Sequence, residues 1–169
     1  MLVRRLLLLL VTLLLVSACG YRLGGFKNVA MKKYSTFSIN MFENRTMYPN
    51  VSMQLSTALA DQMQRDGTYR IASPEECDFV LEGVVTSVTA SSLRPNPEDT
   101  YLSSEIGLVM HVTYSVRDNH TGKEVIKNMV TADTSYFNES GNVQTARDSA
   151  LSYAARKAAE QIVEFLTIP

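Results

Sequence analysis

The sequence contains few residues of the types that carry out catalysis or bind metal ions. His111 and His120 are its two histidines, and neither has a second histidine or a cysteine at the spacing of a metal site. We expect both imidazoles to lie on the surface. Asp61, Asp66 and the pair Glu75–Glu76 are explained by solvation as well as by catalysis. An enzyme needs a nucleophile with its base, paired acids or metal ligands, so this inventory argues against an enzyme and predicts no metal site.

Cys19 is the residue with the clearest chemistry. It follows the basic pair Arg4–Arg5, the apolar run Leu6–Val16 and the small residues Ser17–Ala18. The run has the length of a signal-peptide core and is too short to span a bilayer as a helix, which needs about 20 residues. Small residues followed at once by cysteine resemble the signal of bacterial lipoproteins. By that resemblance residues 1–18 are removed, the Cys19 thiol carries a diacylglycerol, and the new amine carries a fatty acid such as palmitate.

Acylation at Cys19 would hold the chain on a membrane. Each buried CH₂ of an acyl chain contributes about 0.8 kcal/mol, and stable anchoring needs more than one chain. The alternatives are a plain secretory signal and an N-terminal anchor helix. Glycines and scattered lysines indicate a tether over residues 19–33, and residues 34–169 then form one domain of ordinary size.

Charge and cysteine content limit the partners and the compartment. The full chain has 16 Lys and Arg against 17 Asp and Glu, and loss of Arg4 and Arg5 makes the remainder mildly acidic. A protein of this balance is not a general binder of nucleic acid. Once Cys19 is acylated, Cys77 has no partner for an internal disulfide. We expect Cys77 to be a small buried residue at the entry of a strand.

Alternation of apolar and polar residues predicts the strands. It is clearest over 105–117, where Ile106, Leu108, Met110, Val112, Tyr114 and Val116 fall on one face. Other strands are predicted over 36–41, 69–72, 79–89 and 125–137, and a hairpin over 118–122 joins the last two long ones. Gly83 interrupts the segment 79–89, which indicates a bulge or a close backbone approach. Pro95 and Pro97 predict a loop over 93–100.

Two segments have helical periodicity. Apolar residues at a spacing of four predict a helix that begins at Asn50 and ends at Gly67. A second helix is predicted over 143–166, with Ala158 and Phe165 on its inner face. The order of elements is typical of an α+β domain in which two helices pack on one face of a small mixed sheet of about four strands.

Four basic side chains fall near the hairpin and the proline-rich segment. Arg94 lies in that segment, Arg117 and Lys123 flank the hairpin, and Lys127 follows on the next strand. Together they can form a modest basic cluster for phosphate groups, because charge-assisted hydrogen bonds are strong. The alternative is a solvated surface.

Several segments together resemble the LptE family of lipopolysaccharide-assembly lipoproteins. The segment Cys19-Gly20-Tyr21-Arg22-Leu23 resembles the start of the mature proteins. Residues 37–42 lead into Glu43-Asn44-Arg45-Thr46, as a strand and its following segment do in many members, although Met41 stands where proline is expected. Residues 79–83 resemble the family's second strand, and residues 155–162 its last helix.

The resemblance implies a location and partners. The protein would sit on the periplasmic face of the outer membrane, plug the lumen of the large β-barrel LptD and help to place lipopolysaccharide in the outer leaflet. Gly20 fits transit to the outer membrane, since the usual retention signal at that position is Asp. Arg94, Arg117, Lys123 and Lys127 are then candidate lipopolysaccharide contacts, and no cofactor is implied besides the lipid on Cys19.

Two other functions stay open on the sequence alone. One is an envelope lipoprotein that binds a small ligand or a cell-wall polymer without a barrel partner. The other is an envelope hydrolase whose catalytic residues are not apparent from their spacing.

Overall fold

The computed structural model describes residues 27–95, 103–137 and 142–168. Over these residues the chain forms one mixed sheet of six strands and two α-helices. The strands are β1 (Thr36–Ile39), β2 (Glu43–Asn44), β3 (Arg70–Ile71), β4 (Phe79–Pro95), β5 (Ser103–Asp118) and β6 (Glu124–Phe137), and the helices are α1 (Val51–Asp66) and α2 (Val143–Thr167). The predicted α+β class is confirmed. The predicted signal peptide and Cys19 lie outside the described residues.

The strand order across the sheet is β3-β1-β4-β5-β6, with β2 beside β4. The short strands pair in parallel: β1 with β3 and β4, and β2 with β4. The three long strands form an antiparallel meander, in which Phe79 lies opposite Asp118 and Glu105 lies opposite Phe137. The sheet has six strands, more than the predicted number of about four. The extra strands are the two-residue β3, which falls within the segment 69–72, and the two-residue β2, which is too short to show alternation.

The buried face of the sheet is the one that the alternation predicts. On β5 the side chains of Leu108, Met110, Val112, Tyr114 and Val116 are at most 1% exposed. Ala132 and Tyr136 continue this face on β6, and both are buried. Because successive side chains of a strand point to opposite faces, the residues between them form a second face that is polar and partly exposed.

Both helices cover the apolar face. On α1 the residues Val51, Leu55, Leu59 and Met63 are buried, and the helix ends at Gly67. The φ of Gly67 is 72°, a left-handed conformation that favours glycine, and its N–H donates to Met63 O at 3.2 Å.

Helix α2 packs through a stripe of small residues. Its alanines Ala154, Ala155, Ala158 and Ala159 have no exposed surface, so the helix backbone approaches its neighbours closely. The prediction that Phe165 lies on the inner face is wrong. Phe165 is 40% exposed and Leu166 is fully buried in its place, because the spacing of four from Ile162 leads to Leu166.

The proline-rich segment is partly strand. The pairing of β4 with β5 continues, with register shifts, through Arg94 opposite Glu105 and Pro95 opposite Ser103. The predicted loop over 93–100 is therefore wrong up to Pro95, and residues 96–102 lie outside the described ones. Proline is tolerated at this point because, in the described part of the chain, no strand pairs with the other edge of β4 beyond Val85.

Residues 27–33, which the sequence assigned to the tether, pack on the domain. A 3₁₀ turn, Val29–Met31, buries Met31 completely, and the Asn28 N–H donates to Leu166 O at 3.2 Å. Within the described ranges, no helix combines the length and apolar character that a membrane crossing requires.

Candidate functional site

The candidate catalytic groups are dispersed over the fold. His111 Nδ1 lies 3.0 Å from Thr131 Oγ1 on the exposed face of the sheet. His120 Nε2 lies 3.7 Å from Asp78 Oδ1 at the hairpin. In the described residues no group of three His, Cys, Asp or Glu side chains is placed to hold a metal ion. His111 thus meets one threonine hydroxyl on the sheet, and His120 meets one carboxylate at the hairpin.

Cys77 is buried, as predicted, directly before β4. It has no exposed surface, and burial raises the pKa of its thiol above the usual range. The thiol lies 3.6 Å from Pro74 O as a weak donor. A buried thiol that resists ionisation is a poor nucleophile, so Cys77 acts as a core residue.

Three of the four basic candidates lie at one end of the sheet, beside the β5–β6 hairpin. We call this end, which carries Arg117, Lys123 and Lys127, the hairpin end. Arg117 is already occupied, because its Nε donates to Glu82 Oε1 at 3.0 Å and its Nη1 donates to Gly122 O at 3.3 Å. Glu82 raises the pKa of the Arg117 guanidinium. The ion pair leaves Arg117 with little net charge to offer a ligand.

Lys127 lines an open depression of about 440 Å³ on the polar face of the sheet. Carboxylates share this depression, namely Glu43, Glu82 and Glu124. The surface around Lys127 is therefore mixed in charge. Lys127 and Lys123 project from it as exposed cations.

Arg94 is far from the other three. It is opposite Glu105 at the start of β5, whereas Arg117 is at the end of that strand. Arg117 lies twelve positions after Glu105 on β5, a distance of roughly 40 Å at about 3.3 Å per residue. Arg94 Nη2 lies 3.9 Å from Glu105 Oε2. The structure thus does not bring the four residues into one cluster, and Arg94 belongs to the opposite end of the domain.

Asp118 organises the hairpin end, and sequence analysis did not identify it. Its side chain is 5% exposed, and its Oδ2 accepts from Lys33 Nζ and from Tyr34 Oη, both at 2.8 Å. Its Oδ1 accepts from the backbone N–H groups of His120 and Thr121. Lys33, and next Tyr34, hold the pKa of Asp118 well below its usual range. Asp118 therefore ties the hairpin to the first described residues of the chain.

Asp78 makes a second tie at the same end. Its Oδ2 accepts from the backbone N–H groups of Ser35 and Thr36, at 2.8 and 2.9 Å. These bonds, that of Ser35 first, lower the pKa of Asp78. They fix the start of β1 against β4. An aspartate followed by a glycine turn predicts such local bonds for Asp118, but no local signal indicates its partner Lys33 or the partners of Asp78.

The family model described as LptE, lipopolysaccharide-assembly, matches residues 34–166. The chain belongs to the LptE family. The match spans the sheet and both helices, and it confirms the resemblance found in the sequence. Comparison with curated proteins gave no match.

Solved structures share the fold of this LptE-family chain. One is a putative lipoprotein from Caulobacter crescentus, with a TM-score of 0.54, 17% identity and coverage of 78% of this chain and 87% of that one. Another is a minor lipoprotein from Acinetobacter baumannii, with a TM-score of 0.54, 19% identity and coverage of 79% and 93%. A third is the PelC dodecamer from Paraburkholderia phytofirmans, with a TM-score of 0.53, 18% identity and coverage of 86% and 96%. At these identities the likeness concerns the fold alone.

Proposed function

We propose that this LptE-family protein is an outer-membrane lipoprotein, anchored through Cys19, that occupies an LptD-type β-barrel and supports the insertion of lipopolysaccharide into the outer leaflet. The observation that carries the proposal is the family match over residues 34–166. The small residues before Cys19 support the anchor.

The described surface is compatible with an aqueous barrel lumen. The exposed face of the sheet carries His111, Thr113, Ser115 and Thr131, which are all partly or fully exposed, while the apolar face is covered by α1 and α2. A compact domain whose surface is polar can lie against the polar interior of a large barrel. The role we propose is that of a scaffold and plug, without bond-making chemistry.

We further propose that the exposed lysines of the hairpin end meet lipopolysaccharide phosphates or acidic groups of the barrel. Lys123 and Lys127 are the principal candidates, because Arg117 is neutralised by Glu82. Arg94, roughly 40 Å away along β5, would make a separate contact. Charge reversal of Lys123 and Lys127 should weaken capture of lipopolysaccharide. Charge reversal of Arg94 should weaken it separately, so that the two effects add when the changes are combined. Equal capture by all variants at low and moderate salt would identify these residues as solvated surface.

Co-purification from detergent-solubilised membranes tests the main proposal. A chain tagged at its C-terminus should bring with it a very large β-barrel protein in equal amount. Recovery of the lipoprotein alone would contradict the barrel partnership and favour an envelope lipoprotein that binds a small ligand or a cell-wall polymer.

The anchor is tested in the same preparation. Intact-mass analysis should show acylation of Cys19 and loss of residues 1–18. Cys19→Ser should release the protein from membranes. An unmodified thiol or a retained signal peptide would refute the anchor without affecting the family assignment.

A further inference from the structure

Three exposed apolar side chains lie where the described chain begins and ends. Val29 is 71% exposed, Phe165 is 40% exposed and Ile168 is 49% exposed. We call these three residues the tether-end patch. Phe165 and Ile168 line an open depression of about 350 Å³ together with Asn28, the residue that precedes Val29. An apolar surface of this kind marks a site of contact with a partner or with a membrane.

The start of the described chain is held beside this patch. Asn28 donates through its backbone N–H to Leu166 O at 3.2 Å and through its side-chain Nδ2 to Phe165 O at 3.3 Å. Lys27 Nζ donates to Tyr34 O at 2.5 Å. The two contacts of Asn28 join the entering chain to the last turn of α2. The patch is therefore the part of the domain that directly adjoins the segment leading to Cys19.

The length of that segment places the patch close to the proposed anchor. Seven residues lie between Cys19 and Lys27, so the two are eight steps apart along the chain, and a fully extended chain spans at most about 3.6 Å per step, or roughly 29 Å. A domain whose first packed residue is within this reach of a bilayer can rest directly on it. No other end of the domain is constrained in this way within the described residues.

The charges around the patch favour a lipid headgroup region. Lys27, Lys32 and Lys33 lie on the entering segment, and Lys32 and Lys33 are exposed. Lys33 is paired with Asp118. Glu164, which lines the same depression as Ile168, is the opposing charge on α2. Apolar side chains flanked by lysines are typical of surfaces that lie in the membrane interface, where each lysine adds attraction to anionic lipids.

We propose that the tether-end patch is a second membrane contact, in which Val29, Phe165 and Ile168 enter the headgroup region of a phospholipid bilayer. The inference rests on the proposed anchor at Cys19, because acylation brings the patch to the lipid surface. Three side chains bind a bilayer weakly by themselves, but a second contact within reach of the first one acts at high effective concentration. In the proposed complex this contact places the hairpin end at the headgroups beside the mouth of the barrel, and the end carrying Arg94 extends into the lumen.

A depth-sensitive probe tests this contact in the acylated protein. Cys77 is buried and the Cys19 thiol is blocked by lipid, so Ile168→Cys can be labelled alone with an environment-sensitive fluorophore. Phe137→Cys is the matched control, because Phe137 is exposed to a similar degree, 55%, at the opposite end of β6. In vesicles of phosphatidylethanolamine and phosphatidylglycerol, a shallow spin-labelled lipid should quench the probe at 168 several-fold more strongly than the probe at 137.

Two results would overturn the proposal while the anchor stands. Equal, weak quenching at both positions in fully acylated protein would show that the patch faces water. A probe at 168 that is shielded from a water-soluble quencher but unaffected by the spin-labelled lipid would show that protein covers the patch, either residues 20–26 or a second copy of the chain.

A second measurement does not depend on acylation. The mature chain with Cys19→Ser should retain weak partition onto anionic vesicles, and the triple change Val29→Ser, Phe165→Ser and Ile168→Ser should reduce it by about tenfold or more, since the apolar contact area is lost. The matched control replaces Leu93 and Phe137 with serine, two exposed side chains of the distant end. If the triple variant and the control partition alike, the patch does not contact lipid, whatever the state of Cys19.

Discussion

Replacement of Gly83 by alanine tests the packing of the central strand β4. A Cβ at this position would lie 2.5 Å from Phe42 Cε1 and 2.5 Å from the backbone oxygen of Thr113 on β5. Phe42 is buried in the core, and the Thr113 oxygen belongs to the neighbouring strand, so neither atom can move without displacing the elements around it.

The magnitude follows from two opposing terms. Overpacking in a well-filled site costs typically about 1–3 kcal/mol. Loss of backbone freedom in the unfolded state on replacing glycine offsets about 0.4–1 kcal/mol of this cost. We expect Gly83→Ala to lower the free energy of unfolding by about 1–2 kcal/mol, which corresponds to a fall in Tm of roughly 2–8 °C for a chain of this size.

Gly107 provides a matched control on the adjacent strand β5. A Cβ there would meet only the side chain of Leu93, at 3.1 to 3.2 Å. Leu93 is 58% exposed and can rotate away. Gly107→Ala should therefore change the free energy of unfolding by less than about 0.5 kcal/mol.

Urea unfolding of the Cys19→Ser chain, followed by circular dichroism, measures both variants. The midpoint should fall for Gly83→Ala with an unchanged slope, because the surface exposed on unfolding stays the same. Equal midpoints for Gly83→Ala and the parent would refute the close approach of β4 to β5 and Phe42. Equal losses of unfolding free energy for Gly83→Ala and Gly107→Ala would refute the distinction between a Cβ that meets a fixed backbone atom and one that meets only a movable side chain.

Three further outcomes are expected from the same chain. Ala158→Asp should destabilise the domain by several kcal/mol, because Ala158 has no exposed surface and a charge placed there has no partner. The control is Arg156→Asp, on the exposed side of α2. A melting temperature of Ala158→Asp near that of the parent would show that the alanine stripe is not packed. The pKa of Asp118 in the folded state is below its unfolded value of about 3.9. Its stabilising effect is therefore complete above about pH 3.9 and is lost as the pH falls toward the folded-state pKa. In Asp118→Asn the free energy of unfolding should fall less steeply below about pH 4, and an unchanged pH dependence there would contradict the role of Lys33 and Tyr34. Cys77 should react with a disulfide reagent only after unfolding, because burial raises the pKa of its thiol; rapid labelling in native buffer would show that the entry to β4 is open.

The sequence predicted the parts of the fold in which local periodicity and burial agree. Alternation identified the buried face of β5. For Gly83 the sequence predicted either a bulge or a close backbone approach, and the structure shows the close approach, to Phe42 and to Thr113 O. The strand β2 escaped detection, since two residues cannot show a period. Phe165 was placed on the wrong side of α2, because hydrophobicity alone does not distinguish neighbouring positions at the edge of an apolar stripe.

The candidate site was predictable only where sequence neighbours are also neighbours in space. Lys123 and Lys127 are close in the chain and share the hairpin end. Arg94 was grouped with them because the proline-rich segment was predicted to be a loop at the end of a strand. Pairing with β5 instead extends β4 in the opposite direction. The tie between Lys33 and Asp118 joins residues that are 85 positions apart, and no local pattern encodes such a contact.

The bonds that hold the entering chain also determine how the domain bears force. A pull on residue 27 reaches the last turn of α2 through Asn28, and it reaches the β5–β6 hairpin through Lys33 and Tyr34, which hold Asp118. The force is therefore shared between α2 and the β5–β6 hairpin. The strand β1 has only four residues, and under the whole force its hydrogen bonds would break one after another. With the anchor proposed at Cys19, a force from the membrane would enter the domain at the bonds of Asn28, Lys33 and Tyr34 and be shared by α2 and the sheet.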